Sequence, residues 1–505
     1  MKIPSHVFFL LGLLSAGGIA PTRGEPLTLK NQRELFVDDY LVAATSGVEF
    51  RLGKPVPADI AMHYNESWEG RYAGGYVTVI HDRQRYRMYY RGSTKGNTDP
   101  ADDDWRAEIT CYAESSDGIH WKKPHLGLYE VNGTRNNNVI LPPDNPYIPS
   151  DNFAVLYDDR PGVPPGERFK GIGGQTHEKD IKVTKIPGGL YRYVSADGIH
   201  WKLYSKTPIC SNNVLGSLNV LSWIPTENNY AIYLRSWTGG INIAGENKGL
   251  RTIARTVSKD FEHWSEPRNM SFGGAPGEHL YTNATEPYFR APQILISLPM
   301  RFLPDRRILS EEQLRQAGVY PLSWKGVSDT LFMTSRGGDS YDRKFLEAFV
   351  RPGPDDGNWG ARSNMPALGV VQTSATEMSF YVNRGQATTT NRLERLTLRL
   401  DGFASLHAGY HAGYAVTKPV VLDGKRMSVN LATSAAGSLK ITILGDDHRE
   451  VPGFGETDAE ELAGDRIDHP VKWKSGKSIA DLAGKVVRIK FTLRDADVYS
   501  FEIRD

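Results

Sequence analysis

The sequence predicts an all-β protein: a five-bladed β-propeller followed by a C-terminal β-sandwich. Three observations carry this. The heptad Ser-x-Asp-Gly-Ile-His-Trp is written at 115–121 and again at 195–201, with a third copy at Ser258-Lys259-Asp260-Phe261-Glu262-His263-Trp264. Each copy follows a run with β patterning, ITCYAES, GLYRYVS or RTIARTVS. From about residue 410 the heptads stop, and MSVNLATSAAG, LKITILGD, PVKWKS, VVRIKFTL and VYSFEIR alternate apolar and polar residues between turn residues, the pattern of a small sandwich.

A worn fourth copy, Ser335 to Tyr341, and a fifth reduced to Asp401-Gly402-Phe403 after RLTLRL complete the set. The aspartates recur roughly 60 to 80 residues apart, which suffices for a four-stranded antiparallel sheet with its loops. The heptad is expected to be a fastener. Its aspartate accepts backbone N–H groups, its glycine tolerates a positive φ, and its tryptophan packs between neighbouring sheets. It resembles the Asp-box of sialidases, shortened by a residue, which is architectural there too.

Bulk properties agree. A chain of 505 residues exceeds one small core; its 50 glycines, 30 prolines and 10% aromatics suit a turn-rich β protein, and a net charge of +1 argues against a nucleic-acid binder. Met1-Lys2, the apolar run Val7 to Leu14 and the small residues 15–20 have the zones of a signal peptide over 1–24, so a secreted or periplasmic protein is expected, with no membrane attachment after the signal is removed. An N-terminal anchor is the alternative, but the apolar run is shorter than the ~20 residues a span needs. Cys111 and Cys210 are expected as separate buried thiols in different blades, with a disulfide between them as the alternative. The propeller is expected over 25–409 and the sandwich, as a docked support or a carbohydrate-binding module, over 410–505.

The inner strands follow by walking back from each heptad: YVTVIHD and RYRMYYRG in blade one, NFAVLYDD and RFKGIGG in blade two, NVLSWIP and YAIYLRS in blade three, ATEPYFRAP and ILISLPMRF in blade four, MPALGVVQT and MSFYVNRG in blade five. ELFVDDYLV near the N-terminus is expected to close blade five, because a ring of sheets must seal its edge. A helix is expected from Ser310, with Ser310 and Gln313 as a capping box.

In a propeller the first strands start, and the second strands end, at the mouth of the central funnel. Asn152, Asn219, Asn283 and Asn364 stand at the starts; Arg91, Arg235, Arg301 and Arg384 stand at the ends. The asparagines either cap their blades through local backbone bonds or face a ligand, and the arginines either bridge blades or converge on a carboxylate or sulfate. Hydrolysis of a glycoside usually needs two carboxyl groups. Glu286, beside Pro287, Tyr288 and Phe289, is the preferred acid, with Asp151 or Glu69 as base or nucleophile and Glu278 as a further candidate. His279, Tyr281, Arg290, Arg71, Arg362 and Trp68 are expected to line the pocket, with Trp68 and Trp359 as sugar platforms. No cofactor is expected; the spacing of histidines and cysteines fits no metal motif, and a structural calcium held by carbonyls leaves no trace in sequence.

FVDDYLV, WEGR, YRMYYRG, the paired heptads, EHLYTNATEPYFRAP, RSN and TSAAGSLKITI make nearly the whole mature chain resemble a group of exported proteins of planctomycete-type bacteria labelled glycosyl hydrolase. More distantly the chain is similar to the five-bladed propeller hydrolases of glycoside hydrolase families 32, 43 and 68. That resemblance implies carboxylates on the inner strands of the first three blades. The sequence departs from it: blade one has no Asn-Asp-Pro-Asn-Gly, and blade three opens with Ser217-Leu218-Asn219. The expectation is a glycoside hydrolase acting on a polysaccharide or oligosaccharide, uronate-bearing or sulfated, with a non-catalytic sugar-binding scaffold as the alternative.

Overall fold

The computed structural model describes residues 25–70, 72–95, 107–174, 184–210, 215–240 and 248–505. The 1–24 segment expected to be a signal peptide, and Arg71, lie outside these residues. Blade one is the sheet Thr78–His81, Tyr86–Ser93, Glu108–Ser115 and Val139–Leu141; blade two is Ala154–Tyr157, Phe169–Gly173, Tyr191–Ser195 and Lys202–Leu203. Blade three is Val220–Ile224, Asn229–Trp237, Arg251–Ser258 and Arg268–Asn269. Blade four is Thr285–Tyr288, Ala291–Ser297 and Met333–Ser335, extended by the hairpin Met300–Leu303 and Val327–Thr330. The helix Glu311–Gln316 lies between the strands of this hairpin and carries the expected capping box.

Blade five differs from expectation. Met365–Pro366, Glu377–Arg384 and Arg392–Arg399 are closed by Val56–His63, not by ELFVDDYLV. The reason is burial. Val56–His63 is exposed over most of its length and carries Pro57, which only an edge strand tolerates. Residues 35–37 are instead apolar on both faces: Leu35 and Val37 join the propeller core, while Phe36 packs on Phe491 and Phe501 of the second unit. Such a strand belongs between two layers. Gln32–Leu35 accordingly pairs with Val486–Arg504, so residues 27–52, assigned above to the propeller, hydrogen-bond with the C-terminal strands.

That second unit is one ten-stranded sheet curled into a half-barrel. Its two longest strands, Arg426–Gly445 and Val486–Arg504, pair along most of their length and bend at a bulge between Thr433 and Ser438. The sheet wraps an apolar core that includes Leu406, Val429, Ile441, Ile489, Phe491 and Ile503.

The heptads build the ring. In the first copy the Asp117 carboxylate accepts the N–H groups of Ile119 and His120, both at 2.8 Å, and bonds the His120 ring at 2.8 Å, while Ser115 Oγ accepts the Gly118 N–H. Asp197 and Asp260 repeat this geometry. Gly118 and Gly198 occupy φ values of 73° and 75°, and Phe261 takes the same left-handed position at 65°. Trp121 meets Tyr381 of blade five edge-on, and Trp201 meets Tyr89 of blade one.

Each turn is also a clip for the preceding blade. Arg87 of blade one donates to the Asp197 carbonyl at 2.7 Å, and Arg192 of blade two donates to the carbonyls of Phe261 and Glu262 at 2.9 and 2.8 Å. Arg255 of blade three pairs with Asp339, Tyr288 of blade four donates to Asp401 at 2.8 Å, and Tyr381 of blade five donates to the Gly118 carbonyl. Five clips thus close the circle. Cys111 is buried in blade one and Cys210 half-buried after blade two, and both are free thiols.

Candidate active site at the funnel mouth

The inner strands enter the ring through strained backbone. Tyr76, Ile148, Ala284, Arg362 and Asn364 all have positive φ, between 43° and 67°, ahead of or at the start of the inner strands of blades one, two, four and five. For residues other than glycine such conformations cost about 1–3 kcal/mol each and persist only where the surroundings enforce them.

The four asparagines sit at the inner-strand starts, but their side chains do not face a ligand. Asn152 donates to the Leu215 carbonyl at 3.0 Å and accepts from Gly174; Asn219 donates to Leu215 and Ser217. Asn283 donates to the Tyr233 carbonyl, and Asn364 donates to Ser328 and Asn358 while accepting from Arg384. At 0–2% exposure they are backbone clips. Of the two readings of these asparagines, capping through backbone bonds is the one these contacts match.

The arginine set divides. Arg301 is held by Asp329 and Glu278, and Arg384 by Glu394 and Asn364. Arg91 and Arg235 act on two tyrosines at the mouth, together with Arg251 and Arg362. The Tyr76 and Tyr281 hydroxyls lie 3.3 Å apart, and each residue is 7% exposed. Arg91 stacks on Tyr76 at 5.0 Å and places Nη1 2.9 Å from Glu108 and 3.6 Å from Asp151. Arg251 lies over Tyr281 at 5.7 Å and over Trp237 at 4.7 Å, and its backbone N–H donates to His279 Nδ1 at 3.0 Å.

This arrangement drives the two phenols apart. Burial pushes Tyr76 well above the ordinary tyrosine range, and the charge on Tyr281 pushes it further. Tyr281 moves down: burial opposes its ionisation, but Arg362, Arg235, the Tyr76 hydrogen bond and Arg91 together outweigh that. Burial and then Arg251 lower His279, so a neutral imidazole is favoured there. The two phenols are thereby displaced in opposite directions.

Other expected residues lie elsewhere. Glu69 is fully buried inside blade one, bonded to Tyr90 at 2.7 Å, to Lys123 at 2.8 Å and to the Glu66 N–H, so it faces the blade core. Trp68 is buried beside it, its indole donating to Asn138 at 2.9 Å, and offers no sugar platform. Trp359 donates to the Gly353 carbonyl. Glu278 sits between Arg301 and Arg343. Arg290 joins Asp401 and Asp468 at the contact with the half-barrel.

Glu286 faces a different space. It lines a recess of about 590 Å³ with Val79, Ile80, Leu156, Pro287 and Val370, where the inner strands of blades one and two end. Its Oε1 accepts the Val370 N–H at 2.6 Å, and burial pushes its pKa up to about 8. Desolvation beside Pro287, Tyr288 and Phe289 was readable from sequence, the place of the recess in the ring was not. Of the expected carboxyl groups, Asp151 alone stands with the mouth cluster.

Tyr76, Glu108 and Arg251 had no place in the sequence expectation. A signal existed for Tyr76. It stands two residues before Thr78 as Asn152 stands before Ala154 and Asn283 before Thr285, so blade one writes tyrosine where blades two and four write asparagine. Among the described residues no group of three or more His, Cys, Asp or Glu side chains converges as metal ligands. No helix among them is long and apolar enough to cross a membrane.

No family model matches the chain, and no curated protein does. Similar solved structures include an N-acetylgalactosamine deacetylase from F. plautii, in complex with blood group B trisaccharide, at 12% identity and TM-score 0.43, covering 71% of this protein and 97% of that one. A glycoside hydrolase family 43 arabinoxylan arabinofuranohydrolase from Bacillus subtilis, in complex with cellotetraose, is similar at 10% identity and TM-score 0.39, covering 90% and 99%. Bombyx mori GH32 β-fructofuranosidase BmSUC1 is similar at 11% identity and TM-score 0.38, covering 90% and 94%. At such values the likeness bears on neither the site nor the activity.

Proposed function

We propose that the protein is an exported carbohydrate-active enzyme that cleaves glycosidic bonds in an anionic polysaccharide or oligosaccharide at the funnel mouth. The observation that carries this is the Tyr76–Tyr281 pair, two phenols 3.3 Å apart in a cluster of arginines, one pushed up and one pulled down. Guanidinium forks match the planar oxyanions of uronate and sulfate groups. The phenols rather than the carboxyl pair first expected are favoured in this reading, because Asp151 and Glu108 share Arg91 and Glu286 opens elsewhere.

The test is turnover and thermal shift with uronate-bearing, sulfated and neutral oligosaccharides, in the native chain and in Arg235→Ala. Cleavage of the anionic sugars, with Arg235→Ala raising KM for them several-fold and flattening its salt dependence, is the expected result. A protein that neither cuts nor is stabilised by any anionic sugar contradicts the proposal. Stabilisation without cleavage favours the non-catalytic binding alternative.

A further inference from the structure

Resting on that reading of the mouth, we propose that bond cleavage there is a β-elimination beside a uronate carboxylate, with Tyr281 as base and Tyr76 as acid, so that the enzyme is a lyase. Hydrolysis in its usual form needs two carboxyl groups flanking the bond. Among the described residues the mouth does not present such a pair. Asp151 and Glu108 both address the same Arg91 nitrogen, at 3.6 and 2.9 Å, Glu69 and Glu278 are locked in ion pairs, and Glu286 lines the recess where the inner strands end.

Elimination needs what the mouth has. Its first requirement is neutralisation of the C6 carboxylate, without which the neighbouring C5–H is far too weak an acid; Arg235, Arg251 and Arg362 are grouped around Tyr281 for that. The Tyr281 oxygen takes the C5 proton. The electron pair of the C5–H bond becomes the C4=C5 double bond, the C4–O4 bond breaks, and the departing oxygen receives the proton of Tyr76. Tyr281 is then a phenol and Tyr76 a phenolate, and a proton crossing the 3.3 Å hydrogen bond between them restores the starting state. No water, oxidant or metal enters the balance. The substrate class is a polymer linked through O4 of a uronic acid.

The experiment incubates the full chain with polygalacturonate, alginate and chondroitin sulfate, reading ultraviolet absorbance of the conjugated C4=C5 carboxylate and product masses. Unsaturated products, one water lighter than hydrolytic ones, are expected. The rate should rise as Tyr281 deprotonates and fall as Tyr76 does. Tyr281→Phe and Tyr76→Phe preserve the rings and should each slow turnover about 100- to 10,000-fold, the usual loss of a general acid or base, with an unchanged melting temperature. Saturated products carrying oxygen from solvent overturn elimination and leave the cleavage reading standing. Thermal stabilisation by these polymers without cleavage overturns elimination and leaves binding alone. No cleavage and no stabilisation overturns both.

Discussion

Arg33 places Nη1 3.2 Å from the Asp401 carboxylate, joining the strand Gln32–Leu35 to the last heptad turn of the propeller. Both side chains are almost wholly buried, and the cluster includes Glu502 at 2.6 Å, Asp468 at 2.5 Å, Ser500 and Asn430. The aspartate of the fifth, reduced heptad thus serves the contact between propeller and half-barrel.

Removing one partner of a buried ion pair strands the other. Arg33→Ala should therefore lower stability by about 3–5 kcal/mol, whereas Lys30→Ala, whose pair with Asp423 is exposed, should leave it nearly unchanged. Urea denaturation of both variants gives the comparison. Similar midpoints would remove the buried network from the account.

The heptad aspartates tie stability to acid. Hydrogen bonds from the His263 ring and from two backbone N–H groups hold Asp260 far below the usual carboxylate range; Asp117 and Asp197 are held low in the same way, against a desolvation that opposes it. A depressed folded-state pKa stabilises above the unfolded value, near 3.9, and that contribution is lost as pH falls further. The melting temperature should drop below about pH 4, and Asp197→Asn should reduce that acid-side slope.

Glu286 has the opposite sign. With its folded-state pKa pushed up to about 8 from an ordinary 4.5, its stabilisation is complete below 4.5 and is lost progressively as pH rises to 8. Glu286→Gln, which retains an oxygen to accept the Val370 N–H, should flatten the stability profile across that window and leave turnover at the mouth within a few-fold of native. Loss of turnover with an unchanged melting profile would return Glu286 to the reaction.

What the sequence revealed is local. A heptad that bonds Asp117 to residues two and three positions onward advertises itself in any frame, and five copies fix the number of blades. Pairing across long distances was hidden. Nothing in Leu35-Phe36-Val37 distinguishes a closing strand from one pressed between two cores, because both want apolar residues, and only the partner shows which face meets what. Alignment of the repeats found Asn152, Asn219, Asn283 and Asn364 at the inner-strand starts, but not that their side chains bond backbone carbonyls. Repetition marked the clips, and Tyr76 marks the place where blade one departs from the asparagine pattern.

The electrostatics of the mouth are measurable without knowing the substrate, by spectrophotometric titration of tyrosine ionisation in the native chain minus that in Tyr281→Phe. The account predicts a difference curve with one phenol ionising below the ordinary value of 10, moving upward when Arg235 or Arg362 is replaced by alanine. A difference curve centred at or above 10 and indifferent to those arginines would contradict it.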